Sequence, residues 1–442
     1  MKTSTSKRLR WNVAIWLAAG LFMTSTAGMA SGPILPDPKA EARHQPQVEE
    51  TANGISLVNI TAPSSGGVSR NEYETFNVPD KGAILNNSYT LSKTELAGYV
   101  QGNNNMAERP AKIIVNEVTG AGPTSMDGFL EVAGNRADVV IANPNGITVN
   151  GGGFINTGKA FLTTGKPVYD GEDHLQRFDI TGGDILIEGK GLGGKETGSL
   201  AILSRAVKIN AGIWAKDLHI TTGANTVDAR TLEASAIEGK GGRPAFALDT
   251  AAIGGMYAGR ITLVGTEKGL GVNNSGTWSA EDNLILDWNG DLKNSGTIYS
   301  KGNTDLRASR LENDKTIAAE RNLSAAAKEN IRNQGKLLAG ENMDIYAGKT
   351  LDNAGHAMES GNNLSIETGD AINNAAGTIK SGGSQQIKAG HALTNTEGTL
   401  AADGNINIQT GRMTGDGIVS AGKKAGILLE KDFTLSLIHI SE

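Results

Sequence analysis

Two glycine-rich stretches contain residue types that could hold a phosphate group. One runs from Asn143 to Gly153, and the other, Gly189 to Gly194, fits the pattern G-x-G-x-x-G. Phosphate sites of this kind need a helix directly after the glycines, because the free N–H groups of its first turn bind the anion. The first stretch lacks the Gly-Lys-Ser/Thr ending of a phosphate loop, and the second is followed by KETGSLAILS, which is typical of a turn and a strand. We therefore expect turns here, not phosphate sites.

Residues that serve in metal binding and catalysis are scattered along the chain. It has no Cys, and its six histidines are His44, His174, His219, His356, His391 and His439. No two of them have the spacing of zinc ligands. A polysaccharide-cleaving enzyme would need carboxylates that converge on one face, but Asp and Glu are spread over separate turn positions. The sequence therefore predicts no enzyme, no cofactor and no metal.

The segment Asn143-Pro144-Asn145-Gly146 has the composition of a β-turn. Pro144 fixes its own φ and has no N–H to donate, and a glycine follows at the last position of the turn. Apolar residues on either side, 139–142 and 147–150, predict two short strands. The glycines that follow then turn the chain again before Phe154. The stretch is thus expected to be a series of tight turns between strands.

A periodic pattern from about residue 269 indicates which fold needs so many turns. An Asn after a leading aliphatic residue recurs at intervals of 19 to 21 residues, and a second series of polar residues runs in parallel. The first series is Asn274, Asn294, Asn313, Asn333, Asn353, Asn374 and Asn395. The second is Asn283, Asn303, Asn322, Asn342, Asn363, Ser384 and Asn405. Repeats of this period are typical of solenoids.

Within each repeat, polar and apolar residues alternate over four to six positions, which predicts short strands with one buried face. One repeat is too small to form a core, so stacked repeats must bury their inner faces together. We therefore predict a right-handed parallel β-helix of about 20 residues per turn, with asparagine amides bonded from turn to turn. A leucine-rich horseshoe lacks its dense leucine pattern here. Because the first strand edge must be covered, we expect a cap over residues 51–109.

Charge and targeting signals describe an exported chain. Lys and Arg number 41 and Asp and Glu number 47, for a formal charge of −6. A nucleic-acid partner would need a basic face, so none is expected. Residues 1–30 combine a basic start, an apolar stretch too short to span a membrane and a small-x-small ending, which predicts a cleaved signal peptide. The absence of Cys suits a chain that must cross a second membrane unfolded, because a disulfide would block it.

Three blocks of sequence resemble the secretion domain of two-partner secretion exoproteins, the filamentous haemagglutinin family. They are NEYETFNVPDKGAILNNS (71–88), EVAGNRADVVIANPNGITVNGGGFINTGKAFLTTGKP (131–167) and ILSRAVKINAGIWAKDLHITTGAN (202–225). The repeats are similar to the haemagglutinin repeats of the same family. The resemblance implies a secretion domain over 31–265 and a β-helical stalk over 266–431. The last residues, 432–442, lack the Asn and Gly pattern, and we interpret them as an atypical tail; the chain is then either the front part of a longer exoprotein or an incomplete reading frame, in which case the tail marks a truncation.

The resemblance also implies a partner and candidate recognition residues. The partner would be an outer-membrane β-barrel transporter that recognises the secretion domain in the periplasm of a Gram-negative bacterium. Asn143, Pro144, Asn145 and Gly146 match a motif linked to secretion, and the adjoining motifs contain Asn71, Asn77 and Asn156. For each of these asparagines, completion of a β-turn remains the structural alternative.

The expected product is a secreted or cell-surface adhesin that contacts host or bacterial cells. Some relatives, mainly cytolysins and contact-dependent toxins, carry Cys-x-x-Cys where this chain has Val149-Asn150-Gly151-Gly152, and that difference favours an adhesin. The alternative is the stalk of a contact-dependent toxin or haemolysin whose effector lies outside this sequence. A polysaccharide-degrading β-helix is a further alternative.

Overall fold

The computed structural model describes residues 34–106, 109–430 and 439–441, which form a long parallel β-helix. Each turn of chain pairs in parallel with the next, and the register in the repeats advances by 19 to 21 residues, as from Leu292 to Leu311 and from Leu351 to Ile372. The predicted fold class is therefore confirmed. The expected signal peptide, and residues 432–438 and 442 of the expected tail, lie outside the described residues. Within the described part, no helix has the length and apolar character needed to cross a membrane.

Each repeat turn contributes one strand to each of three faces, because its alternating pattern is interrupted at three polar corners. The first face contains Gly271–Asn274, Leu292–Asn294, Leu311–Asn313, Ile331–Asn333, Leu351–Asp352 and Ala371–Asn373. The second contains Thr277–Ala280, Thr297–Ser300, Thr316–Ala319, Lys336–Ala339, Ala357–Ser360, Thr378–Ser381, Thr399–Ala402, Ile418–Ala421 and His439–Ser441. The third contains Leu284–Trp288, Thr304–Ala308, Leu323–Ala327, Met343–Ala347, Leu364–Thr368 and Ala425–Leu429, and two long strands, Gln385–Thr394 and Ile406–Thr414, run from the third face into the first.

The interior of the repeats is mainly apolar, with one column of buried amides and a few other buried polar side chains such as Ser300, Thr304 and Gln385. Inward aliphatic side chains such as Leu306, Ile345 and Ile366 are buried. Along one corner, the amide nitrogen of each asparagine from 274 to 374 donates to the amide oxygen of the next, at 2.7 to 2.9 Å. The column satisfies polar groups that would otherwise be costly to bury. The predicted amide ladder is present.

The earlier part is the same β-helix with less regular turns. Here the register step between paired strands varies widely, from 18 residues between Leu200 and Leu218 to 47 residues between Ile84 and Glu131. The strands are Ser56–Asn59, Val68–Thr75, Ala83–Asn87, Ile113–Val118, Thr124–Met126, Phe129–Gly134, Ala137–Ala142, Ile147–Val149, Gly152–Ile155, Thr157–Thr163, Asp184–Ile187, Leu192–Gly194, Ser199–Ser204, Ala206–Ile209, Gly212–Thr222, Phe246–Thr250 and Gly255–Gly265.

The cap lies earlier in the chain than expected. Strands Leu35–Pro36 and Gln47–Glu50 pair antiparallel with the first turn of the helix, at Val68–Thr75 and Ser56–Asn59. A short 3₁₀ helix, Ala42–His44, connects them. The prediction of a cap over 51–109 is therefore wrong in position, since Ser56–Asn59 already pairs in parallel with the next turn. The first turn of the helix has no preceding turn to pair with, so its exposed strand edge is covered by these two antiparallel strands.

Two further sheets lie outside the helix. A hairpin formed by Ser92–Thr94 and Gly98–Val100 follows the strand Ala83–Asn87, and a 3₁₀ helix, Asn104–Met106, comes after it. A second, antiparallel sheet has four strands, Lys166–Tyr169, Leu175–Ile180, Asn225–Asp228 and Ala234–Ala236. A separate apolar cluster, which includes Val140, Phe161 and Phe178, packs this sheet against the helix.

Candidate functional site

The Asn143–Gly146 segment is a β-turn, as its sequence predicts. The backbone N–H of Gly146 donates to the carbonyl of Asn143 at 3.1 Å. Gly146 has a φ of 112°, a conformation that side chains disfavour and glycine tolerates. The turn joins the strand Ala137–Ala142 to the strand Ile147–Val149, so it forms one corner of the helix.

The side chain of Asn143 is buried and attaches this corner to the preceding turn of the helix. Its amide nitrogen donates to Gly122 O at 2.9 Å and to Thr124 Oγ1 at 3.0 Å, and its amide oxygen accepts the backbone N–H of Asn145 at 2.9 Å. Asn145 is exposed, but its side chain donates to Gly120 O at 2.8 Å. Pro144 is also exposed. Both amides of the motif are therefore bonded within the fold.

Asn77 stabilises the same neighbouring strand from another position. Its amide oxygen accepts the backbone N–H of Ser125 at 2.8 Å, and Ser125 belongs to the strand Thr124–Met126. Asn143 bonds to Thr124 of that strand. The structure thus brings these two candidate asparagines together around one three-residue strand.

Asn71 and Asn156 bond elsewhere. Asn71 is buried, accepts the backbone N–H of Thr61 at 2.9 Å and donates to Ser69 Oγ at 3.0 Å. Asn156 is exposed, has a φ of 55° and donates to Val132 O and Gly134 O at 2.8 and 3.0 Å. Neither bonds to the Asn143–Gly146 turn. The seven candidates therefore do not form a single cluster.

A groove of about 550 Å³ lies beside the turn. Pro144 forms one part of its wall, Glu117 another, and Lys166, Asp179 and Lys240 contribute opposite charges. Only Pro144, of the seven candidates, lines this groove. Asn156 lines a different and larger groove of about 1090 Å³ under the hairpin.

A buried ionic cluster close to this groove is absent from the sequence-based prediction. Arg70 lies 2.9 Å from Glu72 and 3.3 Å from Glu117, and His44 lies 3.1 Å from Glu72. The Arg70 guanidinium also lies over the ring of Tyr169, 4.5 Å from its centroid. Because His44 is in the cap and Tyr169 in the four-stranded sheet, the cluster joins both to the helix. The dipeptide Asn-Glu occurs in the sequence at 71–72 and again at 116–117, and the two copies pair in register in the structure. This repeated dipeptide is the sequence signal from which the cluster could be predicted.

Burial determines the protonation of this cluster. Burial raises the pKa of Glu117 above its ordinary value, although the adjacent Arg70 opposes the shift. Burial lowers the pKa of His44, and the positive charge of Arg70 lowers it further. Burial also raises the pKa of Tyr169, whose hydroxyl has no hydrogen-bond partner among the described residues. The carboxylates of Glu72 and Glu117 can therefore stabilise the junction of cap, helix and four-stranded sheet only while Arg70 supplies their counter-charge.

The G-x-G-x-x-G match at 189–194 forms a turn and a strand in the structure. A strand, Leu192–Gly194, and not a helix, follows the first glycines of the G-x-G-x-x-G match. Gly191 has a φ of 79°, and a side chain there would collide with the carbonyl of Gly212. Across the described residues, no group of three or more His, Asp and Glu side chains could hold a metal ion.

Comparison with known families and structures agrees with this architecture. The family described as the TPS secretion domain matches residues 33–300, and the haemagglutinin repeat matches residues 299–355 and 344–429. The crystal structure of the filamentous hemagglutinin secretion domain is similar with a TM-score of 0.50 and 24% identity, over 90% of this chain and 99% of that one. At this identity, the similarity establishes the fold alone.

Curated relatives include long toxins. The chain is 41% identical over 298 residues to Toxin CdiA of Yersinia pestis, covering 62% of this chain and 9% of that protein. It is 39% identical over 334 residues to the 16S rRNA endonuclease CdiA of Enterobacter cloacae, covering 74% of this chain and 10% of that protein. The chain thus spans about a tenth of the length of these relatives. Their names favour the toxin-stalk alternative over the adhesin.

Proposed function

Because the chain belongs to the two-partner secretion family, with a secretion domain followed by haemagglutinin repeats, we propose that it is the leading part of a contact-dependent toxin. A secretion domain of this family implies a partner transporter, and proteins of the family are secreted from Gram-negative bacteria through the periplasm. The observation that carries the proposal is the similarity to CdiA toxins at 39–41% identity.

In this proposal, residues 31–265 are recognised by an outer-membrane β-barrel transporter, and residues 266–431 begin a stalk. The stalk carries an effector, in a part of the protein outside this sequence, to the surface of a target cell. The effector proposed is one with nuclease activity, since the Enterobacter cloacae relative is named as an endonuclease. The residues described here have a transport and scaffolding role and no catalytic one.

The transporter recognises the secretion domain before that domain has folded. Asn71 and Asn143 are buried, and the amides of Asn77 and Asn145 are bonded to backbone atoms, so of the seven candidates only Pro144, Asn145 and Asn156 are exposed on the folded surface. In the unfolded chain all of these side chains are accessible. Folding outside the cell then buries them, and each buried aliphatic side chain contributes about 1.5–3 kcal/mol before entropy is counted. This favours outward movement.

The adhesin alternative has weaker support. Its support in the sequence is the missing Cys-x-x-Cys at 149–152, yet the toxin relatives named above are similar to this chain. A stalk that merely presents an effector also needs no receptor of its own. The two functions differ in their effect on a neighbouring cell, because an adhesin attaches to that cell and a contact-dependent toxin kills it.

The test is secretion of the chain 1–442 from cells with the neighbouring transporter gene, without it, or with a transporter that lacks its periplasmic domains. We expect the chain in the medium only with the intact transporter. A co-culture of cells carrying the intact locus with cells that lack it then tests the toxin. Killing that disappears when codons 1–442 are deleted supports the proposal, and normal survival of the neighbours contradicts it.

A further inference from the structure

A row of free polar side chains follows the third face of the repeats. Asp344, Ser365, Gln386 and Asn407 are aligned in register on four successive turns. All four point outward, since the residues flanking each of them are buried. In the described part of the chain, none of the four side chains makes a hydrogen bond or an ion pair. Their donors and acceptors are therefore available to a ligand.

These side chains lie in a groove. All four line a depression of about 410 Å³, and a second depression of about 340 Å³ adjoins it, since the two share Gln386 and Asn407; the two together are called the groove. One wall of the groove is the outer ladder of corner asparagines. Within it, Asn342 donates to Asn322 at 2.9 Å and Asn363 donates to Asn342 at 3.4 Å. The ladder fixes that wall, and Lys388 and Gln409 lie on the opposite side.

The groove carries little net charge. Lys388 is neutralised by Glu367 of the preceding turn at 2.8 Å. Asp344 is then the one remaining charged side chain among the residues that line it in the described structure. Nucleic acids and acidic polysaccharides require several basic groups for binding. Polyanions of these kinds are therefore disfavoured as ligands of the groove.

A peptide strand is also disfavoured. The backbone N–H and C=O groups of the third face bond to the turns above and below, as in the pairing of Gln385–Ala389 with Ile406–Thr410. An added strand would need a free edge, and a sheet face has none. Contact with this groove is thus through side chains alone.

We propose that the groove binds an extended, uncharged glycan. Hydroxyl groups can both donate and accept, and the row of carboxylate, hydroxyl and amide groups offers them both kinds of partner. Successive turns of a β-helix are about 4.8 Å apart, so regularly spaced sugars can meet equivalent side chains on successive turns. Tyr346, which is 49% exposed, lies two residues from Asp344 on the same strand and offers a ring for a sugar to pack against. This site does not depend on the function proposed above.

The test uses the secreted chain and soluble polymers in affinity electrophoresis. The neutral probes are dextran, galactomannan and a mixed-linkage β-glucan, and heparin is the acidic probe. The variant is Gln386→Ala with Asn407→Ala. The matched control is Glu359→Ala with Lys380→Ala, because both residues are exposed on the second face and form no bond among the described residues. Circular dichroism and a melting curve check that each variant is folded.

We expect at least one neutral polymer to retard the chain and the groove variant to bind it about tenfold more weakly, because two hydrogen-bonding side chains are lost. The second-face variant should bind like the parent chain. The proposal is overturned if no neutral polymer retards the chain, if both variants bind equally, or if heparin alone binds and salt removes it.

Discussion

The amide of Asn143 and the hydroxyl of Thr124 are 3.0 Å apart and both are buried, so the turn that resembles a secretion motif is also a structural joint between two turns of the helix. Changing Asn143 to Ala leaves Thr124 Oγ1 and Gly122 O without this donor. A buried polar group without a partner costs about 1–3 kcal/mol. We expect Asn143→Ala to lower the free energy of unfolding by about 2–4 kcal/mol, as measured by urea denaturation of the secreted chain.

Asn145→Ala is the matched control, because Asn145 is exposed and its backbone N–H still reaches Asn143. We expect it to cost less than about 1 kcal/mol. If Asn143→Ala blocks secretion yet leaves the stability of refolded protein unchanged, the transporter reads Asn143 directly and its structural role is minor.

The amide ladder should be most sensitive in its middle. Asn333 accepts from Asn313 at 2.8 Å and donates to Asn353 at 2.7 Å. Asn333→Ala should remove both bonds and reduce the free energy of unfolding by about 2–3 kcal/mol. Amide hydrogen exchange should also become faster in the flanking strands 311–313 and 351–352. Asn342→Ala, in the less buried outer ladder, should have a smaller effect. If the two variants lose the same free energy of unfolding, the burial of the inner ladder does not explain its contribution to stability.

The repeats could be predicted because their information is local. Asn294 and Asn313, which the sequence places 19 residues apart, are bonded at 2.8 Å, and the alternation around them specifies the strands. The four-stranded sheet has no such signal, because Arg177 pairs with Asp228 across about fifty residues of unrelated chain. The buried cluster of Arg70 and Glu117 depends on the same long-range contacts. The candidate asparagines could be recognised as turn residues, but which of them share a neighbour could not.

His219 should make the protein sensitive to mild acid. Burial lowers the pKa of His219 from 6.5 to about 4. Between these values the unfolded chain binds a proton that the folded chain does not, so stability is fully present above pH 6.5 and falls as the pH is lowered toward 4. The expected slope is about 1.4 kcal/mol per pH unit. Urea denaturation at pH 7.5, 6 and 5 measures it.

His219→Gln should flatten that slope, because Gln cannot take up the proton. His391→Gln is the control, since its side chain is 71% exposed. Should both variants retain the slope of the parent chain, another group is responsible for the acid sensitivity.

Arg70 should be essential to the junction of cap, helix and outer sheet. It is the cation nearest to both Glu72 and Glu117, at 2.9 and 3.3 Å. Arg70→Met leaves two carboxylates in a buried site without a counter-charge, and removing one partner of a buried pair costs about 3–5 kcal/mol. We expect a loss of that size in the free energy of unfolding at pH 7. Lowering the pH toward 5 should partly restore it, because the unpaired carboxylates then take up protons on folding.

Arg307→Met provides the comparison, because Arg307 pairs with Asp305 at 2.9 Å on the surface and is 61% exposed. Surface pairs contribute about 0–1 kcal/mol, so this variant should be nearly neutral. The double variant Arg70→Met with Glu117→Gln should recover part of the stability lost by Arg70→Met, since one buried negative charge is gone. If the double variant is no more stable than Arg70→Met, the loss comes from packing against Tyr169 and not from unpaired charge.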